Sequence, residues 1–216
     1  MTSITAEGRT YPAYVATSPG TGLHPALVLV HSFNGLEPGY RIMCDEIAGD
    51  GFVVIAPEGQ TAGRQPGDDE VGAVIRSAVA FLRNRSDLDP GRLGLTGFCA
   101  GGGGTPALPA PDARVRGRRC LLRLSVQQRI RERHRARGAH RRAGEPLAHD
   151  PRLSRPGEHY RGHLQLHAPA RRGRYFELKV SQGKPHGFMV QNGTLARGDA
   201  ALDAYSQMIS FFRRTL

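Results

Sequence analysis

Apolar residues follow two alternating patterns over the first hundred positions. Residues 25–31 and 52–57 are nearly continuous apolar runs, the pattern of strands covered on both faces. Residues 37–49 and 68–85 instead carry apolar positions at helical spacing. In the first of these, Ile42, Met43, Ile47 and Ala48 predict a face turned to a sheet, and Cys44 falls among them as a core residue. In the second, the face is Val71, Val74, Ile75, Ala78, Val79 and Leu82, with Asp68 as N-cap and Asp69 in the first turn. Residues 2–6 and 10–17 alternate weakly, as edge strands do. A third buried strand, 92–96, follows a turn at 87–91. Strand, helix, strand, helix, strand predicts an α/β fold with a doubly wound, mostly parallel sheet. Its ligands should bind beyond the carboxyl ends of the strands.

After Gly104 this patterning stops. Residues 105–174 show neither a sustained helical nor a two-residue apolar period, with few apolar stretches beyond Leu121 to Leu124. Order returns at 175–180, which alternates like a strand. Residues 197–216 then read as a terminal helix with Leu202, Tyr205, Met208, Ile209 and Phe212 inward. The chain of 216 residues suits a single domain. Within it, 1–104 and 175–216 are regular and 105–174 is an irregular basic segment.

Charge sharpens that division. The net charge is +11, yet residues 105–174 hold 18 arginines, no lysine and five acids, a net of +13. The other 146 residues sum to −2. The basic character belongs to one segment, so it does not mark the whole chain as a nucleic-acid binder. Base stacking also wants aromatics among the arginines, and Tyr160 is the one Phe, Tyr or Trp between 105 and 174. A basic nucleic-acid-binding protein is the weakest alternative reading. No apolar stretch reaches the roughly 18 residues of a membrane span. The first residues show no basic region leading into an apolar run, so no secretory leader is expected. Cys44, Cys99 and Cys120 form neither a disulfide framework nor a metal-ligand spacing. No cofactor or metal is expected, and a cytoplasmic, reducing compartment suits a working thiol.

The candidate chemistry lies at the end of the third buried strand. Gly97, Phe98, Cys99, Ala100 and Gly101 form a G-x-C-x-G pattern, a nucleophile elbow with cysteine in the place of serine. Glycines two residues to either side allow a tight strand-to-helix turn. A following helix N-terminus favours the Cys99 thiolate. Further on, 87 residues past Cys99, His186 sits in a loop between the 175–180 strand and the terminal helix. Nucleophile first and histidine last is the chain order of α/β-hydrolases.

Three stretches together resemble the dienelactone hydrolase family. They are residues 27–35, ending His31, Ser32, Phe33, Asn34, Gly35; residues 94–102 around Cys99; and residues 183–188 around His186. The likeness covers 1–104 and 175–216. It implies Cys99 as nucleophile, His186 as base, and an oxyanion hole from the backbone N–H groups of Phe33 and Ala100. It further implies a small-molecule ester or lactone substrate and no cofactor; the oligomeric state is left open. Three departures stand out. The family often has a glutamate where Ser32 stands. The arginine that would hold a substrate carboxylate shortly after the histidine is replaced by Met189, Val190 and Gln191. The catalytic acid is unassigned, because the nearest candidates, Asp150 and Glu158, follow no apolar strand.

Residues 105–174 read as an out-of-frame translation of the family's own segment. Codons for Arg118 to Ser125, read one base later, can give Val-Val-Ala-Tyr-Tyr-Gly-Tyr-Pro, like the strand after the elbow helix. Those for Asp150 to Arg155 can give Ile-Pro-Val-Tyr-His-Gly, like the strand before the acid loop. This reading predicts a segment that packs poorly, a sheet without strands beside the elbow, and activity impaired by loss of the acid. A catalytically inactive remnant is the main alternative.

Overall fold

The computed structural model describes residues 1–59, 64, 66–101, 181 and 183–216, and the main chain of 120–123. These belong to one compact unit, Met1–Ser125 with Tyr175–Leu216. A second unit, Val126–Arg174, lies outside the described residues, as do the predicted strand at 175–180 and the candidate acids Asp150 and Glu158.

Strands β1 (Thr2–Ala6), β2 (Arg9–Ala16), β3 (His24–Val30), β4 (Val53–Pro57), β5 (Leu88–Gly97) and β6 (Cys120–Arg123) make one sheet. Its spatial order is β1-β2-β4-β3-β5-β6. The first two strands run antiparallel, and β4, β3, β5 and β6 run parallel. Helix α1 (Pro38–Gly49) joins β3 to β4, α2 (Asp68–Arg83) joins β4 to β5, and α3 (Asp199–Thr215) closes the chain. A short hairpin, β7 (Val190–Gln191) and β8 (Thr194–Leu195), precedes α3.

Alternation along the central strands divides the core between the two faces of the sheet. Leu27, Leu29 and Val54 pack with Met43, Cys44 and Ile47 of α1 and Met208, Phe211 and Phe212 of α3. Ala26, Val28, Val30, Val53 and Ile55 pack with Val74, Ile75, Ala78 and Leu82 of α2. Central strands buried on both faces explain the unbroken apolar runs.

Several sequence expectations need correction. Ile42 and Leu202 are 41% and 48% exposed. Each lies at the margin of its helix's apolar arc, where hydrophobicity alone does not fix direction. Asp68 is the first residue of α2 and not its cap; Gly67 holds the N-cap position, and the helix ends at Arg83. The expected turn at 87–91 is already strand from Leu88. The sheet does have a strand beside the elbow strand. Cys120–Arg123 pairs parallel with β5, Gly94 opposite Cys120 and Gly97 opposite Arg123. In the sequence, residues 120–122 are a short apolar run, which is the local signal for this four-residue strand.

Candidate active site

The reversal of strand order puts the carboxyl ends of β3 and β5 side by side, with Val30 opposite Gly97. Beyond β3 runs the loop with Ser32, Phe33 and Asn34; beyond β5 comes the elbow. This is the crevice where open parallel sheets bind ligands. Phe98 N–H donates to the Val30 carbonyl at 2.9 Å, tying the elbow to the end of β3. Cys99 has φ +54°, in the left-handed region that costs a side-chain-bearing residue energy and recurs at functional sites. The chain becomes helical at Ala100 and Gly101. A Cβ on Gly101 would lie 2.4 Å from the Val30 carbonyl oxygen and 2.5 Å from that of His31. The second glycine of the motif is thus a close approach between two main chains.

Cys99 and His186 line one cavity of about 200 Å³. Phe33 shares it, along with Ser32, Glu37, Tyr40, Phe98, Phe188 and Asn192. His186 is exposed and Cys99 is half-buried. Of the sequence-predicted site residues, three therefore come together here. Ala100 stands next to Cys99 as the first residue of the helix, where its N–H belongs to the free helix terminus. Cys44 is fully buried in the core, and burial pushes its thiol far up. The side chain of Cys120 lies outside the described residues.

Four further features shape the site. His31 is 1% exposed, and burial lowers its pKa. Its Nδ1–H donates to the Ser32 carbonyl at 2.7 Å, since a carbonyl can only accept, and so pins the loop that carries Phe33. The Ser32 hydroxyl is the hub of that loop. It donates to Glu37 Oε2 at 3.4 Å and accepts from the Asn34 N–H at 3.3 Å. Tyr40 packs its ring against Phe98 at a centroid distance of 5.4 Å. Burial pushes its phenol up to about 12, against a hydrogen bond with Ser32 and together with the charges of Glu37 and Cys99. Last, the β7–β8 hairpin carries Val190 and Asn192 into the cavity wall. Asn192 and Gly193 take φ +50° and +76°, the signature of an Asn-Gly hairpin turn. The absent side chain of Gly39 lets this hairpin lie on α1, where Gly39 N–H donates to the Gly193 carbonyl at 2.8 Å.

Glu37 and the hairpin are not among the sequence-based candidates. The Asn192-Gly193 pair is a signal that would have revealed the hairpin. Glu37 had none, because it precedes Pro38 as an ordinary start of α1. Among the described residues, no group of three or more His, Cys, Asp or Glu side chains could hold a metal ion, and no helix is long and apolar enough to cross a membrane.

This strand order, with the elbow after β5, is that of the α/β-hydrolases. Over 99% of the chain it superposes on 97% of a Klebsiella pneumoniae protein solved as "Putative Dienelactone Hydrolase", at TM-score 0.65 and 20% identity. A thermophilic esterase from Thermogutta terrifontis matches over 97% of this chain and 92% of its own, at TM-score 0.58 and 20% identity. The chain has the α/β-hydrolase fold. Its sequence is similar to the dienelactone hydrolases: it is 33% identical over 108 residues to a "Putative carboxymethylenebutenolidase" of Aquifex aeolicus, covering 41% of this chain and 46% of that one. It is 34% identical over 107 residues to "Protein usf" of Aquifex pyrophilus, with the same two shares. The bis(hydroxyethyl) terephthalate hydrolase of Streptomyces coelicolor is 33% identical over 96 residues, 43% of this chain and 30% of that one. The matched region thus spans less than half the length of these curated relatives. No family model matches the chain.

Proposed function

We propose that the protein hydrolyses carboxylic ester or lactone bonds of small molecules by covalent thiol catalysis. Cys99 is the nucleophile and His186 the general base. The Cys99 thiol gives its proton to His186, and the sulfur attacks the carbonyl carbon. The oxyanion is held by the N–H groups of Phe33 and Ala100. Collapse expels the alkoxide, which takes the proton from His186, and leaves a thioester on Cys99. Water, deprotonated by His186, then releases the acid and restores the thiol. The observation that carries this reading is one cavity lined by both Cys99 and His186, with Cys99 at φ +54° on the elbow. The names of the curated relatives, a carboxymethylenebutenolidase and a bis(hydroxyethyl) terephthalate hydrolase, support its ester-hydrolase part.

On the out-of-frame reading of residues 105–174, His186 loses the acid that would orient it, and turnover should then sit below that of a complete triad. The frame reading of residues 105–174 remains a proposal that the nucleotide sequence between the codons for Gly104 and Tyr175 decides. A reducing compartment fits a catalytic thiol.

Labelling tests the nucleophile. With limiting iodoacetamide on the folded protein, peptide mapping should find Cys99 modified and Cys44 untouched, because Cys44 is 0% exposed. Dominant labelling at Cys44 or Cys120 would overturn the assignment. Incubation with p-nitrophenyl acetate should add an acetyl group to the Cys99 peptide. An acetyl group found elsewhere, or on no residue while the ester is consumed, speaks against a thioester at Cys99.

A further inference from the structure

Glu37 brings a carboxylate into the cavity that holds Cys99. It is the N-cap residue of α1, yet its side chain makes no capping hydrogen bond. Instead Oε2 accepts from the Ser32 hydroxyl at 3.4 Å. Oε1 lies 3.7 Å from where a Cβ on Gly193 would stand, so the hairpin turn backs the carboxylate. Through Ser32 it is linked to Tyr40, whose phenol feels both Glu37 and Cys99. Much of the rest of the wall is uncharged: Phe33, Phe98, Phe188, Met189 and Val190 are apolar, and Asn34 and Asn192 are neutral. Among the described residues, no lysine or arginine lines it.

A charge on a partly apolar wall is screened less than in bulk water and acts over several ångström. Near the reacting carbonyl it opposes a second negative charge and favours a positive one. An anionic substrate group would also lose hydration there with no lysine or arginine to pair with among the described residues. The stretch after His186 offers no cation to offset this, since Met189, Val190 and Gln191 follow. We propose that Glu37 makes the site selective for neutral and cationic esters and against substrates that carry a carboxylate beside the scissile bond. The substrate part of this proposal rests on the hydrolase reading above; the charge selectivity at Cys99 does not.

Two measurements separate these parts. The first compares labelling rates at Cys99 by aminoethyl methanethiosulfonate, a cation, and sulfonatoethyl methanethiosulfonate, an anion. The cation-to-anion ratio should exceed that of mercaptoethanol in the same buffer. It should fall about tenfold in Glu37→Gln, the order expected for two unit charges several ångström apart at an intermediate dielectric. Glu37→Asp, which keeps the charge, should keep the ratio. A ratio unchanged by Glu37→Gln, or a parent ratio no higher than that of mercaptoethanol, overturns the proposal. The second reading needs no variant, so it stands even where Glu37→Gln fails to fold. The other measurement compares kcat/KM for p-nitrophenyl butanoate and p-nitrophenyl hemisuccinate. The neutral ester should be preferred, and Glu37→Gln should narrow the preference about tenfold. Preference for the hemisuccinate overturns the substrate class. Turnover of neither ester overturns the hydrolase reading and the substrate class with it, while the labelling ratios still decide what Glu37 does at Cys99.

Discussion

Cys99→Ala should reduce hydrolysis of p-nitrophenyl acetate steeply, toward the rate in buffer, and abolish the acetyl adduct. In a serine-triad template, removing the nucleophile costs about 10⁶ in kcat. Any rate left above that in buffer comes from the oxyanion hole and binding, so the loss read is the covalent part alone. The variant should remain folded. Alanine meets the same backbone demand as cysteine at φ +54°, and the half-buried thiol fills no core cavity. Far-ultraviolet circular dichroism and the urea midpoint check this. Cys99→Ser should not rescue the rate. A serine hydroxyl is a far weaker acid than a thiol, so it depends more on a base held in the right tautomer. Activity that survives Cys99→Ala at the parental level would remove Cys99 from the mechanism and leave the cavity without its nucleophile.

The readable parts of the molecule are those where one local pattern has one physical cause. Leu27 to Val30 and Val53 to Ala56 are buried on both faces of a parallel sheet, so the apolar run itself identifies the strand. The elbow is readable because the close approach of Gly101 to the Val30 and His31 carbonyls excludes every side chain. The parts that escaped depend on where distant segments meet. Glu37 looks like any acidic residue before a proline-started helix. It becomes a site residue only because the β3 loop, α1 and the β7–β8 hairpin converge on the elbow. His31 looks like the end of a strand, yet its ring fixes the Ser32 carbonyl. Strands β7 and β8 have two residues each, too few to show any periodicity, and only their turn residues could betray them.

Gly101→Ala should cost the fold as well as the activity. The added methyl group would stand 2.4 and 2.5 Å from two carbonyl oxygens and 2.8 Å from the Val30 carbonyl carbon. All three are main-chain atoms at the end of β3, which is bonded to β4 on one side and β5 on the other. No side-chain rotation relieves the contact, so either the elbow helix or the end of β3 must shift. Moving the Val30 carbonyl weakens its 2.9 Å bond from Phe98 N–H. It also carries the Phe33 loop away from Cys99. Overpacking of this kind typically costs about 1–3 kcal/mol, and backbone neighbours put this case at the upper end. Displacing a nucleophile by about 1 Å from its oxyanion donors can cost about 10²-fold in turnover. Gly49→Ala is the control. It lies at the end of α1 with nothing within 4 Å of the new Cβ, so its urea midpoint should be no lower than the parent's, as alanine is the better helix former. Urea denaturation and p-nitrophenyl acetate turnover on the two variants give the comparison. A Gly101→Ala protein as stable and as active as Gly49→Ala would show that the two main chains can part without loss, and that the second glycine of the motif is not what holds Cys99 in place.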